Sequence, residues 1–156
     1  MAIHQSDVLS PQVLTELQEL IQVNIDSRDG YRHAAKATSD LNLQSAFEEI
    51  ARNRDNMAEE LASYVAWSGE MPVREGSFLE AIRETWLSIR EALSADNRHT
   101  ILQDAERAED AIRYAYEKAL ENTLGSDVNS VLLRQYSDVE MWHSRIRDLR
   151  DAYSNS

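Results

Sequence analysis

Hydrophobic positions recur at spacings of three and four along most of the chain, and no stretch alternates with the period of two that marks a strand. Leu14, Leu17, Ile21, Asn24, Arg28, Tyr31 and Ala35 predict a first helix over about 11–37. Leu43, Phe47, Ile50, Arg54, Met57, Leu61 and Tyr64 predict a second over about 41–67. Phe78, Ala81, Ile82, Thr85, Trp86, Ile89 and Leu93 predict a third over about 77–93. Ile101, Ala105, Ala108, Ile112, Ala115, Ala119 and Leu120 predict a fourth over about 97–123. The last stripe, Val128, Leu132, Gln135, Val139, Trp142, Ile146, Leu149 and Tyr153, predicts a helix over about 127–153.

Chain-breaking residues respect these boundaries. Ser10 before Pro11 is a hydroxyl cap followed by proline in the first turn. Ser39 or Asp40 caps the second helix, Ser77 with Glu80 forms a capping box for the third, Asp96 or Asn97 caps the fourth, and Asp127 the fifth. Gly125 is a natural left-handed stop. Gly30 alone lies inside a helix, where it costs about 1 kcal/mol against alanine; it implies close approach by the crossover or another helix. The turn at 38–42 is too short for anything but antiparallel neighbours. Asp29-Gly30-Tyr31-Arg32 and Asp110-Ala111-Ile112-Arg113 occupy matching heights in the two hairpins. Residues 1–156 therefore read as a single all-α domain: a ferritin-like four-helix bundle of two antiparallel hairpins, with an extra helix in the long crossover.

The chain has no cysteine, which removes disulfides and thiolate metal sites and suits a reducing compartment. No uncharged apolar run reaches the ~20 residues of a membrane span, and the N-terminus has no signal-peptide pattern. The expectation is a cytoplasmic protein that engages no membrane. A net charge of −12 argues against nucleic acid. The best basic patch, Arg145, Arg147 and Arg150, is interrupted by Asp148 and Asp151.

Chemistry concentrates on the last helix. Glu140 and His143 lie one turn apart beside the buried stripe, half of what a carboxylate-bridged di-metal site needs. A histidine beside a core is more commonly just hydrogen-bonded. Tyr31, Tyr114, Tyr116 and Tyr136 could bond into such a cluster or simply pack. Trp67, Trp86 and Trp142 could mark an oligomer interface or ordinary burial. No nucleophile elbow, phosphate-binding glycine loop or zinc-protease motif is present.

Several stretches carry a resemblance: RDGYRHAAKA, FEEIARNRDNMAEELASYV, SFLEAIRETWLSIREAL, AERAEDAIRYAYEKAL and the ending WHSRIRDLR. Over about Leu14 to Arg150 the chain resembles a bacterial ferritin-like four-helix-bundle domain family of unknown function. The resemblance implies a fold and no settled activity. The wider ferritin and rubrerythrin group, more remotely similar, holds two metals with a Glu on each first helix and an E-x-x-H on each second. Glu140 and His143 match the E-x-x-H, and Glu109, or Glu106 one turn earlier, matches the single Glu. The other hairpin instead offers Arg28, and Arg54 with Met57, a thioether too soft for such a site. Asp26, Asp29 and Glu49 sit off the stripe or at the wrong height.

Two cations on apolar stripes need partners or a route to solvent. The first option predicts a structural ion cluster of Arg28, Arg54, Glu109 and Glu140 in place of the metals, with bidentate pairing. The second leaves both arginines at the bundle edge. The favoured reading is a non-enzymatic, stress-related or interaction protein, either a homo-oligomer or the binder of a protein partner, with no cofactor. The alternative is a metal-binding ferritin-like redox or storage protein, with Fe, Mn or Zn at Glu106, Glu109, Glu140 and His143. A third idea, a small-molecule pocket between the hairpins, calls for a sizeable apolar cavity.

Overall fold

The computed structural model describes the backbone of residues 9–75 and 80–154, with all side chains there except those of 80–82 and 154. Within these residues the chain forms helices only: α1 (Pro11–Ala37), α2 (Leu41–Trp67), α3 (Glu80–Ser94), α4 (Arg98–Asn122) and α5 (Val128–Ser154). The Ser77 cap expected for the third helix lies outside the described residues. No described helix is long and apolar enough to cross a membrane.

Local chemistry sets the ends. Ser10 Oγ accepts the Val13 amide at 3.2 Å, with Pro11 behind it in the first turn. Of the two residues that could cap α2, Asp40 does so, accepting the Asn42 and Leu43 amides at 2.9 and 3.0 Å. Asn97 Oδ1 caps α4 through Thr100 N at 3.2 Å, while Asp96 takes the left-handed φ of 51° in the turn before it. At the far end α4 stops at Asn122 with Thr123 as its cap. Gly125, expected to close that helix, lies two residues further on, with the positive φ of 84° that reverses the chain into α5.

Cross-helix bonds give the topology. Glu16–Asn122, Asn24–Tyr116 and Tyr31–Glu109 run in opposite senses along α1 and α4, so these two are antiparallel. Glu60–Arg134, Asn53–Asp138 and Asp40–Tyr153 do the same for α2 and α5. With both hairpins antiparallel, the four helices run up, down, down, up, and the long connection between α2 and α4 carries α3. That helix lies on α1 and α4.

The core has two apolar halves. One joins Leu17, Ile21, Leu61, Val65, Val128 and Leu132. The other joins Leu43, Phe47, Ile50, Ile89, Leu102 and Ile146. Where they meet, wholly or nearly buried polar side chains enter from all four helices: Asn24 and Ser27, Arg54, Glu109, and Gln135.

α3 is seated by its aromatic ring. A Cβ built on Gly30 would lie 2.3 Å from Trp86 Cε2, so the indole occupies the space any other residue would need. It also meets Tyr31 edge-on, with ring centroids 5.0 Å apart. The close approach at Gly30 thus comes from the crossover helix.

Candidate functional site: a buried arginine–glutamate pair

The polar layer centres on Arg54 and Glu109, both side chains having zero exposure. Arg54 Nη2 donates to Glu109 Oε1 at 2.6 Å and Nη1 donates to Oε2 at 3.1 Å. This two-point fit needs the planar fork of a guanidinium. Tyr31 Oη donates to Glu109 Oε2 at 2.8 Å, and Arg54 also reaches Ser27 Oγ at 3.2 Å and Asn53 Oδ1 at 3.4 Å. Helices α1, α2 and α4 therefore converge on one carboxylate.

A second chain of bonds lies one turn away. Asn24 Nδ2 donates to Tyr116 Oη at 2.8 Å, and that hydroxyl donates to Gln135 Oε1 at 2.7 Å. Gln135 Nε2 then donates to Glu60 Oε1 at 2.8 Å, and Glu60 pairs with Arg134 on the surface. The layer is thus connected from α1 to the outside of α5.

The electrostatics follow from burial. Desolvation acts to lower the pKa of Arg54, but the charge of Glu109 and their hydrogen bonds outweigh it, and the net shift is upward. Burial, then the neighbouring Glu109 charge, pushes the Tyr31 phenol well above its ordinary value. Burial likewise raises Tyr116. Both phenols are held neutral as donors.

The other expected site residues lie elsewhere. Arg28, one position beyond Ser27, turns outward and bonds Asp55 and Asp29, each at 2.9 Å. Glu140 is 44 % exposed and lies 4.0 Å from Arg113. His143 Nε2 meets Asp110 Oδ1 at 2.7 Å, and Glu106 pairs with Arg150 on α5. Of the four residues expected in the ion cluster, Arg54 and Glu109 are in contact, while Arg28 and Glu140 occupy separate outer seams. Of the four expected metal ligands, Glu109 is deep inside the bundle, His143 is buried against Asp110, Glu106 is largely buried with one oxygen on Arg150, and Glu140 is partly exposed. Asp29 belongs to the Arg28 pair, Glu49 is half-buried, and Asp26 is wholly buried on α1.

This arrangement does not fit a di-metal centre. Both Glu109 oxygens already accept charged or phenolic donors, and a dication beside Arg54 would face a fixed positive charge in a dry interior. Among the described residues no three histidine, cysteine, aspartate or glutamate side chains come together as a metal site would require. Neither Ser27 nor Gln135 is marked by the sequence pattern as a member of the polar layer. Gln135 stood on the apolar stripe as an out-of-place amide, and that was its signal.

No curated protein matches the chain. Residues 12–122, which carry Arg54 and Glu109 but stop short of α5, match a family described as a domain of unknown function (DUF2383), and the chain belongs to that family.

Proposed function

We propose that this protein is a non-enzymatic, ferritin-like bundle of bacterial type, in which an arginine–glutamate pair takes the interior position that metal ions hold in the ferritin group. It acts by binding, through self-association or a protein partner, and a role in stress physiology belongs to the same reading. The observation that carries the reading is the two-bond contact of Arg54 with Glu109 at zero exposure. The up-down-down-up order with one long crossover supports the ferritin-like part. A guanidinium satisfies a buried carboxylate without any ion from outside, and such a pair favours one packing register over others.

Elemental analysis tests this on untagged full-length protein, with Fe, Mn and Zn read per chain before and after anaerobic Fe(II) loading. The expected result is no stoichiometric metal in either state. About one or two metals per chain, lost in His143→Ala, would replace the reading with a metal-binding redox or storage protein.

A further inference from the structure

Among the described residues, the seam between α1 and α4 is covered along only part of its length. Trp86 seats α3 on Gly30, Ser88 Oγ donates to Asp104 at 2.5 Å, and Ile89 and Leu93 are buried beneath it. Beyond that stretch the same seam opens into a groove of about 730 Å³ running from Val23 to Pro11. At 1.5 Å per residue it spans about 18 Å of α1, roughly three turns of a helix.

Its walls are already formed. Leu14, Leu20 and Val23 on α1 and Ala111 and Ala115 on α4 line it. The segment after α2 makes the third side and is fixed to α1: Gln18 bonds Met71 O and Val73 N, each at 2.9 Å, and Gln22 bonds Glu75 O at 2.8 Å. Tyr114 stands at the edge, 70 % exposed. The charges there are Glu16, Glu19 and Glu70 against Lys118, and Lys118 pairs with Glu19 at 3.4 Å. The groove is therefore apolar at its floor and acidic in balance, on a chain of net charge −12.

We infer that this groove docks a basic amphipathic helix of a protein partner, laid on the α1–α4 seam as a continuation of the track that α3 occupies. The partner inserts an apolar face at i, i+3 or i+4 and i+7 between the two helices, and its lysines or arginines meet the exposed Glu19 and Glu70 on the rim, Glu16 being buried against Asn122. Tyr114 is the aromatic anchor. The inference deepens the proposed function and rests on its reading of the protein as a binder.

The test uses full-length protein and a fluorescein-labelled 14-residue leucine–lysine peptide with leucines at helical spacing, followed by anisotropy. A scrambled peptide of the same composition and a leucine–glutamate counterpart are run beside it. The expected result is binding at least ten-fold tighter than for either control. Tyr114→Ala and Glu19→Lys, both at exposed positions, should weaken it at least five-fold, whereas Asp148→Lys on α5 should not. Equal binding of the scrambled peptide, or an equal loss in Asp148→Lys, would reduce the effect to general charge attraction and overturn the inference. Sedimentation showing a dimer that Tyr114→Ala dissolves would assign the groove to a second copy of the chain and overturn it too. Metal analysis of the same preparation keeps the two ideas apart: metal-free protein without mapped binding sinks the groove alone, and metal-loaded protein with mapped binding sinks only the metal-free reading.

Discussion

Arg54 on α2 and Glu109 on α4 sit diagonally across the bundle and join through two hydrogen bonds of 2.6 and 3.1 Å, with no solvent contact. Removing one partner leaves the other charge buried without compensation, which costs about 3–5 kcal/mol. Arg54→Leu should lower the melting temperature by roughly 6–20 °C for a domain of this size. The double change Arg54→Leu with Glu109→Leu should recover most of that loss, since an apolar replacement of the whole pair is close to neutral. Thermal unfolding by circular dichroism reads both; an unchanged midpoint in Arg54→Leu would refute the energetic role of the pair.

Arg28 supplies the contrast. Its bonds to Asp29 and Asp55 lie in a partly exposed seam where water and salt screen charge. Arg28→Ala should cost at most about 1 kcal/mol, and the cost should shrink further in 0.5 M salt. Urea titration of both arginine variants under the same conditions checks the ranking, and equal destabilisation would contradict it.

Tyr31 and Tyr116 link stability to alkaline pH. Burial raises both phenols above the usual 10.0, reinforced at Tyr31 by the Glu109 charge and partly opposed at Tyr116 by the Asn24 hydrogen bond and the Arg54 charge. Above about pH 10 the unfolded chain releases protons that the native state keeps, so their contribution is complete below that pH and falls as pH rises past it. The double variant Tyr31→Phe with Tyr116→Phe should show a shallower loss of stability between about pH 10 and 11.5 than the parent. Denaturant midpoints across that window measure the slope, and parallel slopes would rule the two tyrosines out.

Gly30→Ala sets helix propensity against packing. Alanine gains about 1 kcal/mol in a helix interior, but its Cβ would fall 2.3–2.5 Å from three Trp86 ring atoms. Displacing a rigid indole from α1 should cost about 1–3 kcal/mol and outweigh the gain. The expected signs are a lower melting temperature and a red shift of tryptophan emission. Adding Trp86→Ala to Gly30→Ala should make the alanine at position 30 favourable relative to Trp86→Ala alone. A more stable Gly30→Ala single variant would show that α3 yields at no cost.

Much of the fold lies in local sequence. Ser10-Pro11 and Asp40 mark where α1 and α2 begin because a side-chain oxygen satisfies amides the helix itself cannot. The three-and-four spacing shows one buried face per helix, and Arg54 stands on that face in the bare sequence. What spacing leaves open is rotation within about one residue. With 3.6 residues per turn, Ser27 and Arg28 are equally good continuations of a stripe through Asn24 and Tyr31. The structure turns Ser27 inward to Arg54 and Arg28 outward to Asp55. On α5 the choice falls the same way: Val139 is buried, and Glu140, 100° around the helix, is not.

The sequence by itself determined that the chain is helical, that short turns pair α1 with α2 and α4 with α5, and that a cation stands on the apolar stripe of the second helix. Only the tertiary structure decided which carboxylate meets Arg54, which imidazole partner His143 takes, and where the crossover helix leaves the α1–α4 seam open. The reason is physical. Helix formation depends on neighbours within four residues, whereas the Arg54–Glu109 contact spans 55 positions and is fixed by the register and rotation of helices packed against each other.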